Sequence, residues 1–136
     1  MQVIVATTQK EFVEHVLIRG QVFIIEQQID WAIEFDGLDD QCVLFNAYLD
    51  DTIVGAARLY KNKVGRVATL KEHRNKGVGK ALMDAIEAYA KDHGIAKLTL
   101  NAQLYVKDFY LHLGYVPEGE IFQEADIDHV KMTKEL

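Results

Sequence analysis

Cysteine and proline are nearly absent from this chain: each occurs once in 136 residues, at Cys42 and Pro117. A single cysteine excludes an internal disulfide and suits a reducing compartment such as the cytoplasm. Cys42 sits in the apolar run CVLF, where a packing role is a simpler reading than that of a nucleophile. Long hydrophobic runs are lacking as well. None approaches the roughly 18 residues that span a bilayer. The N-terminal MQVIVATTQKEF has no positive region leading into an apolar stretch, so neither a membrane span nor a signal peptide is expected. Positive charge is in deficit, with 15 Lys and Arg against 21 Asp and Glu and a net charge of −6. Duplex binding relies on basic side chains that neutralise phosphates, which argues against nucleic acid as the main partner. The acidic balance is compatible with a cationic partner such as an amine, although solubility explains it equally simply. Internal repeats, low-complexity tracts and linkers are also missing. What remains is an ordinary globular composition, 49% hydrophobic and 26% charged. It implies one domain over residues 1–136, long enough to bury about 65–70% of the surface its unfolded chain exposes.

Hydrophobic patterning assigns the elements. Residues 2–6 are β-branched and read as a strand. Thr8 is a helix N-cap candidate, and Phe12, Val16, Val22 and Phe23 follow as apolar positions of one or two helical segments, weakened or split at Gly20. Residues 29–40 hold Trp31, Phe35, Gly37 and a concentration of acids, and read as a functional loop. Residues 42–49 and 52–60 are strands joined through Asp50-Asp51, which is hairpin chemistry; Lys61-Asn62 turns the chain into a further strand at 64–70. Residues 77–93 form a strong helix with the stripe Val78, Leu82, Ala85, Ile86 and Tyr89, stopped by Gly94. Residues 96–102 alternate as a half-buried strand, 104–113 form a short helix ended by Gly114, and 115–116 and 127–132 close the chain as strands. The order β-α-β-β-β-α-β-α-β-β predicts an α/β fold, a mixed sheet of about six or seven strands flanked by helices.

The most informative segment is VATLKEHRNKGVGK, residues 67–80, where a strand runs through a basic, glycine-containing turn into a helix. Free backbone N–H groups at a helix start and the positive end of its dipole bind phosphate. Gly77 and Gly79 allow close backbone approach. Lys71, Arg74, Lys76 and Lys80 against Glu72 give this turn a charge of +3 within a chain of −6. A solvated turn accounts for the bare pattern about as well as a polyanion site does. There is no G-x-x-x-x-G-K-[ST] and no G-x-G-x-x-G, which disfavours a P-loop NTPase and a dinucleotide-binding Rossmann unit. His15, His73, His93, His112 and His129 lack ligand spacing, so no metal is implied.

Arg74-Asn75-Lys76-Gly77-Val78-Gly79 resembles the R/Q-x-x-G-x-G/A signature of the GNAT superfamily of N-acetyltransferases. The flanking strand and helix, and the later LNAQLYVKDFYLHLGYVPEGE, fall where that family has them. VFIIEQ, EFDGLDD, NAQ and EADIDHVKM are similar to its ElaA-like branch. The resemblance implies acetyl-CoA as co-substrate and no metal, with direct transfer to a small-molecule or peptide amine in a ternary complex. It implies that Arg74, Asn75, Lys76, Gly77, Val78, Gly79 and Lys80 surround the pyrophosphate, and that Val67, Ala68 and Thr69 bond the pantetheine arm as an added strand would. A backbone N–H near residues 67–69 would stabilise the oxyanion. Gln103, or Asn101 on the same strand face, would lie near the pantetheine or acetyl end. Tyr110 would protonate the leaving thiolate; packing beside Phe109 is its plainer role. Glu26 and His129 are the two candidates for the base, with an ion-pair partner and a sheet-surface histidine as the plainer readings. The loop at 34–40 would favour a cationic acceptor if it lines the cleft. Gly20-Gln21 departs from the charged residues that relatives carry before V-F. A homodimer is common in such folds. Two other readings are a non-catalytic coenzyme A-binding or interaction module that kept the fold, and a phosphate-binding turn on an unrelated α/β domain.

Overall fold

A computed structural model describes residues 1–136. Seven strands form one sheet in the order β1-β2-β3-β4-β5-β7-β6: β1 Gln2–Val5, β2 Val43–Leu49, β3 Thr52–Tyr60, β4 Lys63–Thr69, β5 Lys97–Gln103, β6 Val116–Glu124 and β7 Ile127–Glu135. All neighbours are antiparallel except β4 and β5. Two hairpins close through residue pairs with positive φ, Asp50-Asp51 (50° and 67°) and Ala125-Asp126 (52° and 60°), the backbone that a tight two-residue turn requires.

Helices cover both faces. Helix α1, Gln9–Arg19, starts at a capping box in which the Thr8 hydroxyl accepts from Glu11 N and the Glu11 carboxylate accepts from Thr8 N. Gly20 does not break it. The helix widens there into a π-helical segment, Gly20–Glu26, with Gly20 still in right-handed helical backbone. Ile18, Val22 and Phe23 from this unit pack on Ala56 and Ala68. Ala57, the next residue of β3, faces the opposite side and joins the larger core under α3, Val78–Asp92, with Leu82, Met83 and Ile86 fully buried. Each such side chain contributes about 1.5–3 kcal/mol through burial. Close seating of α3 requires Gly55 on β3, because a Cβ there would stand 2.6 Å from Val78 Cγ1 and 3.1 Å from Ala68 O.

Three segments differ from their sequence reading. The acidic loop at 29–40 contains a helical turn, α2, Trp31–Glu34, whose N-cap Asp30 accepts from Ala32 N at 2.8 Å. The strand expected at 115–116 runs on as β6 to Glu124. It is exposed along its whole length, so no buried face marks it in the sequence, and Gly119 at φ 84° absorbs its register shift against β7. Helix α4, Lys107–His112, is shorter than expected, because 104–106 form a 3₁₀ turn. No helix is long and apolar enough to cross a membrane.

Candidate functional site

The site arises where β4 and β5 part. They are in register only at Lys63↔Thr99 and Val64↔Leu100, so beyond these pairs the facing edges run on without partners. On its other side β4 is bulged: Ala56 pairs with Ala68 and Arg58 with Gly65, leaving Arg66 and Val67 opposite Ala57 alone. Arg66 takes the left-handed φ of 54° that the bulge imposes. The opening leads into a cavity of about 790 Å³. All the candidate catalytic and cofactor-binding residues line it except Glu26 and Lys76, so strand, turn, Asn101, Gln103, Tyr110 and His129 share one space.

At one end of the cavity stands the start of α3. The N-cap Gly77 holds a φ of 83°, and no side chain bonds the helix's first N–H groups. The first backbone bond back to the cap is Ala81 N to Gly77 O at 3.0 Å, so the amides of Val78, Gly79 and Lys80 are left over as anion donors. Gly79 has a steric role as well, since a Cβ would meet Phe109 Cζ at 3.0 Å. His73 also lines this end, and its buried Nδ1 has no partner within the chain, as expected of an atom that a ligand satisfies. Unpaired strand edges running to an uncapped helix start fit a long amide-bearing arm that ends in a diphosphate. Donor set and shape therefore suit coenzyme A.

The candidate catalytic groups separate clearly. Tyr110 is buried between Phe109 and Tyr115, with edge-on ring contacts at 4.9 and 6.0 Å. Burial, aided by Tyr105, pushes its phenol well above the ordinary range, so it keeps its proton throughout the neutral region. His129 is buried at the far edge of the cavity, opposite Gln103 in the β5–β7 register. Its Nδ1 lies 2.7 Å from Ile127 O, and because a carbonyl only accepts, Nδ1 donates there; in the neutral ring the lone pair is then on Nε2. Glu124 Oε2 stands 3.6 Å from Nε2, where it would stabilise an imidazolium. Glu26 is held differently from the free, cleft-facing acid expected of a base. Both its oxygens accept from Arg74 at 2.6 Å, and this pairing holds the carboxyl below its usual range. Arg74 also donates to Thr69 O at 3.1 Å, and through the two partners it ties the signature turn to the end of β4 and to the end of the π-helical segment. Gln103 and Gln27 exchange hydrogen bonds of 3.0 and 3.3 Å, and Gln27 also donates to Tyr105 Oη at 3.1 Å. Gln27, Tyr105 and His73 lie inside the segments VFIIEQ, LNAQLYVKDFYLHLGYVPEGE and VATLKEHRNKGVGK, but nothing in the sequence assigns them a role there. Cys42 is half-buried rather than buried, does not line the cavity, and its thiol donates to Leu38 O while burial raises its pKa.

The acidic loop corrects a further expectation. Glu34 and Asp36 do line the cavity, but their charge is already matched. Arg19, fully buried, donates to Glu34 Oε2 and Asp39 Oδ1, both at 2.7 Å. Arg58 forks onto Asp36 at 2.7 and 3.0 Å and reaches Asp39 at 2.9 Å. Arg66 adds contacts of 3.2 Å to Glu34 and 3.3 Å to Asp36. Hydrogen bonds from Arg58 hold Asp36 well below the carboxylate range. Burial opposes ionisation of Asp39, yet Arg19 and Arg58 keep it low. Three arginines balance three acids, so this wall offers a cationic acceptor no spare negative charge.

Residues 9–136 match the family model described as an acetyltransferase (GNAT) domain. The uncharacterized N-acetyltransferase YjcF of Bacillus subtilis (strain 168) is 32% identical over 140 residues, covering 99% of this chain and 100% of its own. ElaA of Escherichia coli (strain K12) is 29% identical over 130 residues, 88% of this chain and 84% of ElaA. The E. coli ElaA crystal structure shares the fold at a TM-score of 0.83 and 24% identity, over 98% of both chains. An acyl-CoA N-acyltransferase from Pseudomonas aeruginosa, 26% identical, aligns at a TM-score of 0.85 over 98% of this chain and 97% of its own.

Proposed function

Because the chain belongs to the GNAT family of acetyltransferases, we propose that it is an acetyl-CoA-dependent N-acetyltransferase. It moves an acetyl group to an amine of a small molecule or peptide by direct transfer in a ternary complex. Residues 1–136 act as one such domain, and the lone thiol suits the cytoplasm. The observation that carries this reading is the unpaired run of β4 beside β5, leading to a helix start with free amides, with Tyr110 and His129 on the same cavity.

Acetyl-CoA supplies the activated acyl thioester. The chain's own groups do the rest. The amides of Val78, Gly79 and Lys80 take the diphosphate, with Arg74, Asn75, Lys76 and Gly77 shaping the turn around them. The free edge of Val67, Ala68 and Thr69 receives the pantetheine amides. The bulge at Arg66–Val67 frees a backbone N–H at the point where negative charge develops on the acyl oxygen. Asn101 and Gln103, the latter held by Gln27, border the acyl end. Nε2 of His129 removes the proton from the acceptor ammonium, and the carboxylate of Glu124 steadies the resulting charge. Tyr110, whose phenol burial keeps protonated, holds a proton for the departing sulfur. Glu26, engaged by Arg74, serves the turn and leaves the base role to His129. Cys42 offers no route through an acetyl-enzyme, being bonded to Leu38 and outside the cavity.

Calorimetric titration with coenzyme A, paired with mass spectrometry of a mixed amine library incubated with acetyl-CoA, tests the reading. The expected result is saturable binding, weakened at least about ten-fold by Gly79→Val, together with products heavier by one acetyl group. Tight binding without product across the library would make the chain a binding module instead. No binding at all would remove both.

A further inference from the structure

Three arginines meet the acidic loop, but they are not equally committed. The guanidinium of Arg19 bonds through Nε, Nη1 and Nη2, and that of Arg58 forks with both terminal nitrogens. Arg66 bonds only through Nε and Nη2, to Ile33 O, Glu34 O and the carboxylates of Glu34 and Asp36. Its Nη1 has no partner, yet it is not among the buried unpartnered atoms, so it stays open at a residue that lines the cavity. Lys63, on the same strand and also lining the cavity, has no ion pair. Beyond β5, on β7 and at the end of β6, lie the lone pair of His129 Nε2 and the exposed carboxylate of Glu124. One wall thus presents spare N–H donors and positive charge, and the other presents a base and a negative charge.

We propose that the acceptor carries a carboxylate as well as its amine, as an amino acid or the C-terminal end of a short peptide does, with Arg66 Nη1 receiving the carboxylate while the amine lies toward His129. This rests on the transferase reading above. Guanidinium and carboxylate match in shape and charge. The second and third arginines keep Glu34 and Asp36 neutralised, so an incoming carboxylate meets little repulsion from them. The bulge places Arg66 directly before Val67 in the strand, so the proposed carboxylate anchor and the reacting backbone are consecutive residues. Side-chain anchoring to Ile33 O and Glu34 O fixes the guanidinium before substrate arrives.

The test compares paired acceptors that differ only by the carboxylate, such as leucine with isopentylamine and phenylalanine with phenethylamine, using acetyl-CoA and the wild-type chain. The expected kcat/KM is about 10- to 100-fold higher for the amino acid of each pair, the size of one charge-assisted hydrogen bond. Arg66→Gly, which suits the φ of 54°, and Arg66→Lys should shrink that ratio toward one. Free carboxylates such as propionate should compete with the acceptor in the wild-type chain, a reading that needs no variant. Equal or better use of the simple amines overturns the inference while leaving the transferase intact. A preference that survives in the Arg66 variants overturns Arg66 as the anchor. If no amine of any kind is acetylated, the transferase reading falls and this inference falls with it.

Discussion

Acidification should destabilise this protein through one histidine before its carboxylates contribute. His15 is fully buried between α1 and β2. Its Nδ1–H donates to Asn46 Oδ1 at 3.1 Å, because the Asn46 amide nitrogen is already spent on Glu11 O and Tyr48 Oη. Nε2 must then accept from Arg19 Nη1 at 3.2 Å, a geometry that only neutral imidazole satisfies. Burial first, and the Arg19 charge second, lower its pKa from 6.5 to about 4. A histidine with a depressed native pKa binds its proton more readily in the unfolded chain, so stability is complete above pH 6.5 and is lost as pH falls toward 4. At about 1.36 kcal/mol per unit, the loss is about 2 kcal/mol at pH 5 and about 3 kcal/mol at pH 4. Asp36 and Asp39, whose native pKa values are lowered by their arginines, add losses only below the ordinary aspartate range. Urea unfolding followed by far-ultraviolet circular dichroism at pH 7, 6, 5 and 4.5 measures the curve. Trp31 is 67% exposed and would report poorly. His15→Gln can keep one donor and one acceptor. It should cost about 1–2 kcal/mol at pH 7 and flatten the slope between pH 6.5 and 4.5. A wild-type chain equally stable at pH 7 and 5, or a variant with the wild-type slope, refutes the assignment.

Three further outcomes follow from the geometry. Tyr110→Phe keeps the ring packing and removes only the hydroxyl, so kcat should fall about 10²-fold with little change in the KM for acetyl-CoA, read by steady-state release of free thiol. His129→Gln should lower kcat by a similar factor of about 10², whereas Glu26→Gln should leave kcat within about three-fold; the reverse ranking would return the base role to Glu26. Gly55→Ala drives a methyl to within 2.6 Å of Val78 Cγ1 and should cost about 1–3 kcal/mol in urea unfolding. Because Val78 opens α3, that variant should also weaken coenzyme A binding out of proportion to its folding defect.

Why part of the site was legible and part was not comes down to range. The turn from Arg74 to Lys80, its strand and its helix are local, and local backbone demands leave marks in sequence: Gly77 at φ 83°, a run of basic residues, and an apolar stripe on α3. Position along the chain, through the family resemblance, also brought Tyr110, His129, Asn101 and Gln103 to one cavity. What stayed hidden depends on pairing across the chain. A cluster of acids between residues 30 and 40 reads as an acidic wall, because nothing local announces that Arg19, Arg58 and Arg66 will converge on Glu34, Asp36 and Asp39 from three separate elements. For Glu26 the plainer reading, an ion-pair partner, holds, but which cation it pairs with stayed hidden, Arg74 lying 48 residues away. The bulge at Arg66–Val67 leaves no signature either, since the left-handed position that commonly goes to glycine is taken by an arginine. Its side chain holds three hydrogen bonds to α2 carbonyls and one to Asp36, which offset the roughly 1 kcal/mol that such a backbone costs a non-glycine residue. That exchange is itself informative. A glycine would satisfy the bulge without strain, so an arginine there is explained by what its guanidinium reaches, and Nη1 of that guanidinium has no partner within the chain.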